Sequence, residues 1–263
     1  MKKTITFTIV AFILLIGCKK EIKETTAEIS KTEKKETTYS QKIEIAHKKA
    51  VFLKQEAVQF NAEVEFGGNV IFNAQIAIST TSDIAKITYK NGDEIYVNKE
   101  KVFVSDNLKE NKGVRFHAYT WTYFFLYPYK LSDKGTIWND AFKTEETNNA
   151  FNTAKLTFEA NTGDAPDDWY VNYTNKENNQ LNHVAYIVTA NSSVEKAEAD
   201  PHAIKYLDYN EINGVPFAAN WGFYEWNTKE GLTNKIGSAK ITNIQFIKDF
   251  RNNFKVPENY TAR

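Results

Sequence analysis

Val58-Gln59-Phe60-Asn61-Ala62-Glu63-Val64-Glu65-Phe66 is followed by Gly67-Gly68 and then by Asn69-Val70-Ile71-Phe72-Asn73-Ala74-Gln75-Ile76-Ala77-Ile78. Apolar side chains stand at Val58, Phe60, Ala62, Val64 and Phe66 with polar ones between them, and the second run repeats the pattern at Val70, Phe72, Ala74, Ile76 and Ile78. Alternate residues of a strand point to opposite faces, so a period of two gives each run one dry face and one wet face. The glycine pair supplies the turn. The stretch predicts a β-hairpin that lays one face on a core.

Outward from the hairpin the same reading extends in both directions. On the N-terminal side, Gln41 to Gln55 carry Ile45, Val51 and Phe52 among good helix formers, which predicts a short helix. On the C-terminal side, alternating strands follow at Ile84 to Tyr89, Glu94 to Val97 and Lys101 to Ser105, joined by Asn91-Gly92 and Asn98-Lys99, as in an antiparallel meander. Arg115 to Tyr127 then breaks the alternation with residues that are apolar or aromatic almost all round, which predicts a buried helix. Pro128 ends it, having no N–H and disfavouring helical backbone at the residue before it. Strands resume at Ala154 to Glu159, Trp169 to Tyr173, His183 to Thr189, Lys205 to Ile212, Phe217 to Trp226 and Ala239 to Ile247. A sheet of roughly ten strands in a chain of this length curls. The fold class expected is therefore mainly β (α+β): a single curled antiparallel sheet, a half-barrel, with the N-terminal helix and the aromatic helix on its concave side.

The first forty residues read differently. Lys2 and Lys3 precede an apolar run from Ile5 to Ile16, the length of an export signal and too short to span the roughly 30 Å bilayer core as a helix. Leu15-Ile16-Gly17-Cys18 resembles the lipobox of bacterial lipoproteins, in which cleavage before the cysteine exposes it to lipid modification. Lys19 to Glu44 is rich in Lys, Glu and Thr and poor in apolar area, so it reads as a flexible tether. The organisation expected is a signal peptide over 1–17, a tether over 18–40 and one β-rich domain over 41–263. Acyl chains on Cys18 would hold the protein to a membrane, at about 0.8 kcal/mol for each buried CH₂. Lys19 rather than an aspartate after that cysteine favours the outer membrane, by resemblance to enteric-type sorting.

Composition excludes several classes. The chain has 33 Lys plus Arg and 33 Asp plus Glu. Such a balance offers no basic excess for a nucleic-acid partner. Cys18 is the only cysteine, which leaves none for disulfides or thiolate metal sites. No cofactor fingerprint, phosphate loop, nucleophile elbow or H-E-x-x-H helix is present. His47, His117, His183 and His202 are scattered, with none spaced to share a metal. Asp164, Asp167 and Asp168 fall in a Gly/Pro turn, where aspartates are common on local grounds. A hydrolase would need Asp164, Asp168 and His183 to converge on a pocket.

The order of elements, ending near Phe254-Lys255-Val256-Pro257, resembles the LolA/LolB-like half-barrel lipoprotein fold. Tyr127-Pro128-Tyr129-Lys130-Leu131-Ser132-Asp133-Lys134-Gly135 and Tyr209-Asn210-Glu211-Ile212-Asn213-Gly214-Val215-Pro216 look like motifs of an uncharacterised family of Bacteroidota lipoproteins. That resemblance implies no catalytic residue. In LolA/LolB-like carriers the space between sheet and helices holds acyl chains, which implies a lipid or other hydrophobic ligand here. The residues that would line it are Phe116, Tyr119, Trp121, Phe124, Phe125 and Tyr127 of the aromatic helix, with Trp221, Tyr224 and Trp226 from a strand. Two readings of these aromatics stay open, a ligand-cavity lining and a plug of plain core. Strand phase puts Trp221 and Phe223 on one face, Tyr224 and Trp226 on the other. A filled barrel would favour a third class, a structural or protein-interaction lipoprotein.

Overall fold

The hairpin forms in the predicted register. Strands β1 (Ala57–Phe66) and β2 (Asn69–Ser79) pair antiparallel with Phe66 opposite Asn69, which leaves Gly67 and Gly68 as a two-residue loop. Both have positive φ, 55° and 77°, as the twist-matched hairpin turn requires at both central positions. Val58, Phe60, Ala62 and Val64 are buried on one face, as are Phe72, Ala74, Ile76 and Ile78. The coordinates are a computed structural model describing residues 36–146, 150–190 and 192–263. The signal segment, Cys18 and the tether as far as residue 35 lie outside them.

From β2 the chain meanders through β3 (Ile84–Tyr89), β4 (Glu94–Asn98) and β5 (Lys101–Val104). A second meander runs through β6 (Thr136–Asn139), β7 (Phe151–Phe158), β8 (Tyr170–Asn175), β9 (Leu181–Tyr186), β10 (His202–Ile212), β11 (Val215–Asn227) and β12 (Gly231–Ile247). The two join because β12 pairs antiparallel with β1, and β13 (Thr261–Ala262) adds to β5. Among the described residues this makes one 13-stranded antiparallel sheet, β13-β5-β4-β3-β2-β1-β12-β11-β10-β9-β8-β7-β6, curled but not closed. The chain from Thr37 to Arg263 forms one compact unit.

That order dictates where the aromatic helix lies. β5 stands next to one edge of the sheet and β6 forms the other edge, so the segment between them has to cross from side to side. The crossing segment contains α3 (Val114–Leu126), which packs on the inner face of the curl against Phe60, Phe72, Phe217 and Phe223. Two shorter helices, α1 (Tyr39–Ala46) and α2 (Lys49–Phe52), stand where one longer helix is predicted. Thr38 and Gln41 form a capping box that starts α1 two residues early, and left-handed Lys48 (φ 58°) breaks the helix in two. Ile43 and Phe52 turn inward, while Ile45 stays exposed.

The structure adds elements that the periodicity does not show. β6 alternates weakly and β13 has two residues, and both lie at sheet edges where burial is slight. β12 starts at Gly231 rather than Ala239, since Thr233, Asn234 and Lys235 lie in a ladder arm without an apolar face. α4 (Val194–Glu198) is a single capped turn beginning after Ser193. Among the described residues no helix is long and apolar enough to cross a membrane.

Candidate functional site

The inner face of the sheet and the buried side of α3 form one continuous apolar cluster. Trp121 lies against Phe72 and Phe223, with ring centroids 5.7 and 6.2 Å away, and its Nε1 donates to His117 Nδ1 at 3.0 Å. Four residues on, Phe125 stacks on Phe60 at 3.7 Å and on Phe217 at 5.3 Å. Phe124 meets Tyr186 at 5.0 Å. Tyr127 is fully buried and donates its hydroxyl to Asn172 Oδ1 at 2.8 Å, and burial holds its pKa well above the ordinary tyrosine value.

The remaining sequence candidates divide between faces. Phe116, near the start of α3, is 37% exposed. Tyr119 is half-buried under the Arg115 guanidinium and donates to Lys99 O. Trp221 joins the inner cluster against Tyr206. Tyr224 and Trp226 point away from it. A Cβ at outward-facing Gly222 would sit 2.6 Å from the Tyr224 ring, so that ring lies along the outer face. Trp226 belongs to a second, smaller cluster with Val171, Tyr173, Ala185 and Ala203, and donates to the Tyr173 hydroxyl at 2.9 Å. The face split of Trp221 and Phe223 from Tyr224 and Trp226 is thus present, and only the first pair faces α3.

Beneath the end of α3 a small space of about 10 Å³ is bounded by His47, Phe125, Pro128, Tyr129, Tyr206, Tyr209, Pro216, Phe217, Ala218 and Trp221. That is room for about one water. The aromatics fill the space between sheet and helix. A larger open groove of about 380 Å³ lies on the outer face, edged by Glu63, Glu65, Lys235 and Lys240. It is a furrow in a solvated strand face.

His47 is the polar group at the inner space that the sequence does not single out. It caps α1 and is fully buried, and its Nε2 accepts the Leu181 N–H at 3.0 Å. Its Nδ1 has no partner. Burial alone lowers its pKa to about 3, so the ring is neutral at neutral pH. With Nε2 accepting, the proton is on Nδ1.

The residues that a hydrolase would need have separate local tasks. Asp164 receives two bonds from the Arg115 guanidinium. Asp168 Oδ1 accepts from Thr189 N and Oγ1, both at 2.7 Å, and burial raises its pKa. His183 stacks on Tyr173 at 3.9 Å, and burial, with Lys205 nearby, lowers its pKa to about 3. None of the three lines either of the two spaces described above, and among the described residues no three His, Cys, Asp or Glu side chains are grouped to hold a metal ion.

An open, curled antiparallel sheet crossed by one helix defines a half-barrel. No family model matches the sequence, and no curated protein matches it. Solved structures resemble it to differing degrees. A LolA superfamily protein from Nitrosomonas europaea is 8% identical, covering 83% of this chain and 95% of that one, with a TM-score of 0.50. A putative outer membrane lipoprotein-sorting protein domain from Vibrio parahaemolyticus is 12% identical over 82% of this chain and 98% of that one, TM-score 0.47. A DUF1329 family protein from Desulfovibrio piger is 9% identical over 80% and 94%, TM-score 0.43. At this identity the likeness to the Nitrosomonas protein shows that the fold is LolA-like, and shows the fold alone.

Proposed function

We propose that the chain is a non-enzymatic envelope lipoprotein, anchored through acyl chains on Cys18, that binds a lipid or other apolar ligand between the curled sheet and α3. The outer membrane is the proposed site, from Lys19 after the lipidated cysteine. One observation carries the reading. Each of the 13 strands pairs with its neighbour in one continuous sheet, whereas among the described residues the polar ties between α3 and the strands and loops over which it crosses are made by side chains. These are Tyr206 Oη to Phe124 O at 2.9 Å, Tyr119 Oη to Lys99 O at 3.1 Å, and Arg115 to Asp164 and Glu100 O. The crossover can lift and expose the apolar inner face without breaking a strand pair. In this reading the structure is the shut state, and the resemblance to LolA/LolB-like carriers supplies the ligand class.

The filled interior favours a second reading, a structural or interaction lipoprotein whose half-barrel never opens. Native mass spectrometry of the full-length, gently extracted protein separates the two. Non-covalent lipid adducts beyond the covalent anchor support binding. Bare protein throughout, with no uptake of added phospholipid or acyl ester, overturns it.

A further inference from the structure

His47 gives the inner space a direction. Around the space three tyrosine hydroxyls are already committed as donors to backbone carbonyls: Tyr129 to Pro216 O at 3.3 Å, Tyr206 to Phe124 O at 2.9 Å and Tyr209 to Leu181 O at 2.8 Å. The other boundaries are aromatic, proline or alanine, apart from the histidine. His47 lines this water-sized space and is fully buried, and its Nδ1–H is a spare donor. A buried donor without an acceptor is costly, and one that meets its acceptor only in a complex favours that complex.

We propose that His47 is the polar anchor of the ligand site, its Nδ1–H donating to the carbonyl oxygen of an acyl ester whose chain lies along the inner face beneath α3. This rests on the ligand-binding reading above. The size of the space suits one oxygen atom, and the lifted crossover accommodates the chain. The ligand's polar end has to be a neutral acceptor. His47 is neutral and no cationic side chain lines the space, so an ionised carboxylate would be buried without a counter-charge, at much greater cost than a carbonyl. An ester is preferred to the free fatty acid bearing the same chain.

The test pairs two probes with one pyrene-labelled chain, a methyl ester and a free acid, titrated into the full-length protein near neutral pH, where a carboxyl group is ionised. Energy transfer from tryptophan reports binding. The ester should bind at least about tenfold more tightly than the acid, because the acid has to lose its charge to enter. His47→Gln places an amide oxygen near the Nε2 position to keep the Leu181 bond while removing the Nδ1 donor. It should weaken ester binding by roughly three- to tenfold, the effect of one neutral hydrogen bond, and acid binding by a similar factor, since the protonated acid offers the same carbonyl. A second readout uses the unmutated protein, so a poorly folding variant does not spoil the test. The infrared carbonyl stretch of the bound ester should move to lower frequency than in hydrocarbon solvent.

The failures are distinguishable. If neither probe binds, the ligand-binding reading falls and the anchor with it. If both bind equally and the carbonyl stretch is unshifted, the anchor is overturned while ligand binding stands. Preference for the acid also overturns it.

Discussion

Phe125→Ala removes a ring held between Phe60 and Phe217, at centroid separations of 3.7 and 5.3 Å with both pairs nearly parallel. It is 5% exposed, and the backbone on both sides is fixed by the ladder and the helix, so the hole can close only in part. Truncations of this kind cost roughly 3–5 kcal/mol, with stacked pairs placing the site towards the upper end. A domain of this length loses about 2–4 °C of midpoint per kcal/mol, so thermal unfolding followed by near-UV circular dichroism should fall by roughly 6–20 °C. Phe116→Ala on the same helix is the internal control. Its side chain is 37% exposed, and the midpoint should move by less than about 3 °C. A Phe125→Ala shift as small as that of Phe116→Ala would mean that Phe125 borders open space, and the shut-state packing described above would be wrong.

Other outcomes follow from the same observations. His47 and His183 both have folded-state pKa values near 3, below the ordinary 6.5, so the stability they contribute is complete above about pH 6.5 and is lost as pH falls from there towards 3. At about pH 5 each should have lost roughly 2 kcal/mol, and denaturant midpoints unchanged between pH 7.5 and 5 would contradict their burial as neutral rings. Cys18→Ser should leave the membrane fraction or stay uncleaved, because the acyl chains supply nearly all the anchoring free energy; unchanged partitioning of an unlipidated mutant would remove the lipoprotein assignment. Deleting Ile22 to Lys35 should leave the midpoint nearly unchanged, and a drop above about 5 °C, on the order of 2 kcal/mol, would show that the segment docks on the domain.

Where apolar residues alternate with polar ones the fold was legible. The β1–β2 hairpin, the turn at Gly67-Gly68 and the opposite phases of Trp221 and Trp226 all follow from the period of two, because a side chain's face depends only on its parity along the strand. β6 and β13 were not legible, because edge strands bury too little to leave a pattern. The function of the α3 aromatics was beyond reading for another reason. Whether Trp121 and Phe125 border a cavity or fill one depends on how far the sheet curls, which strand order and register decide, and no local spacing encodes that. His47 looked like an unremarked histidine in a helix. What marks it is its long-range bond to Leu181, 134 residues away, together with a spare nitrogen on a residue that lines a small inner space.

Opening of the crossover can be measured by native-state hydrogen exchange on the full-length protein, with and without an acyl ester. If α3 lifts as a unit, its amides from Val114 to Leu126 should exchange through an opening well below the free energy of global unfolding, while those of β1, β11 and β12 exchange only globally. Added ester should change protection in α3 and around His47 and leave the central ladder alone. If the α3 amides exchange only with global unfolding and the ester changes nothing, the half-barrel is permanently shut and the ligand-binding proposal fails.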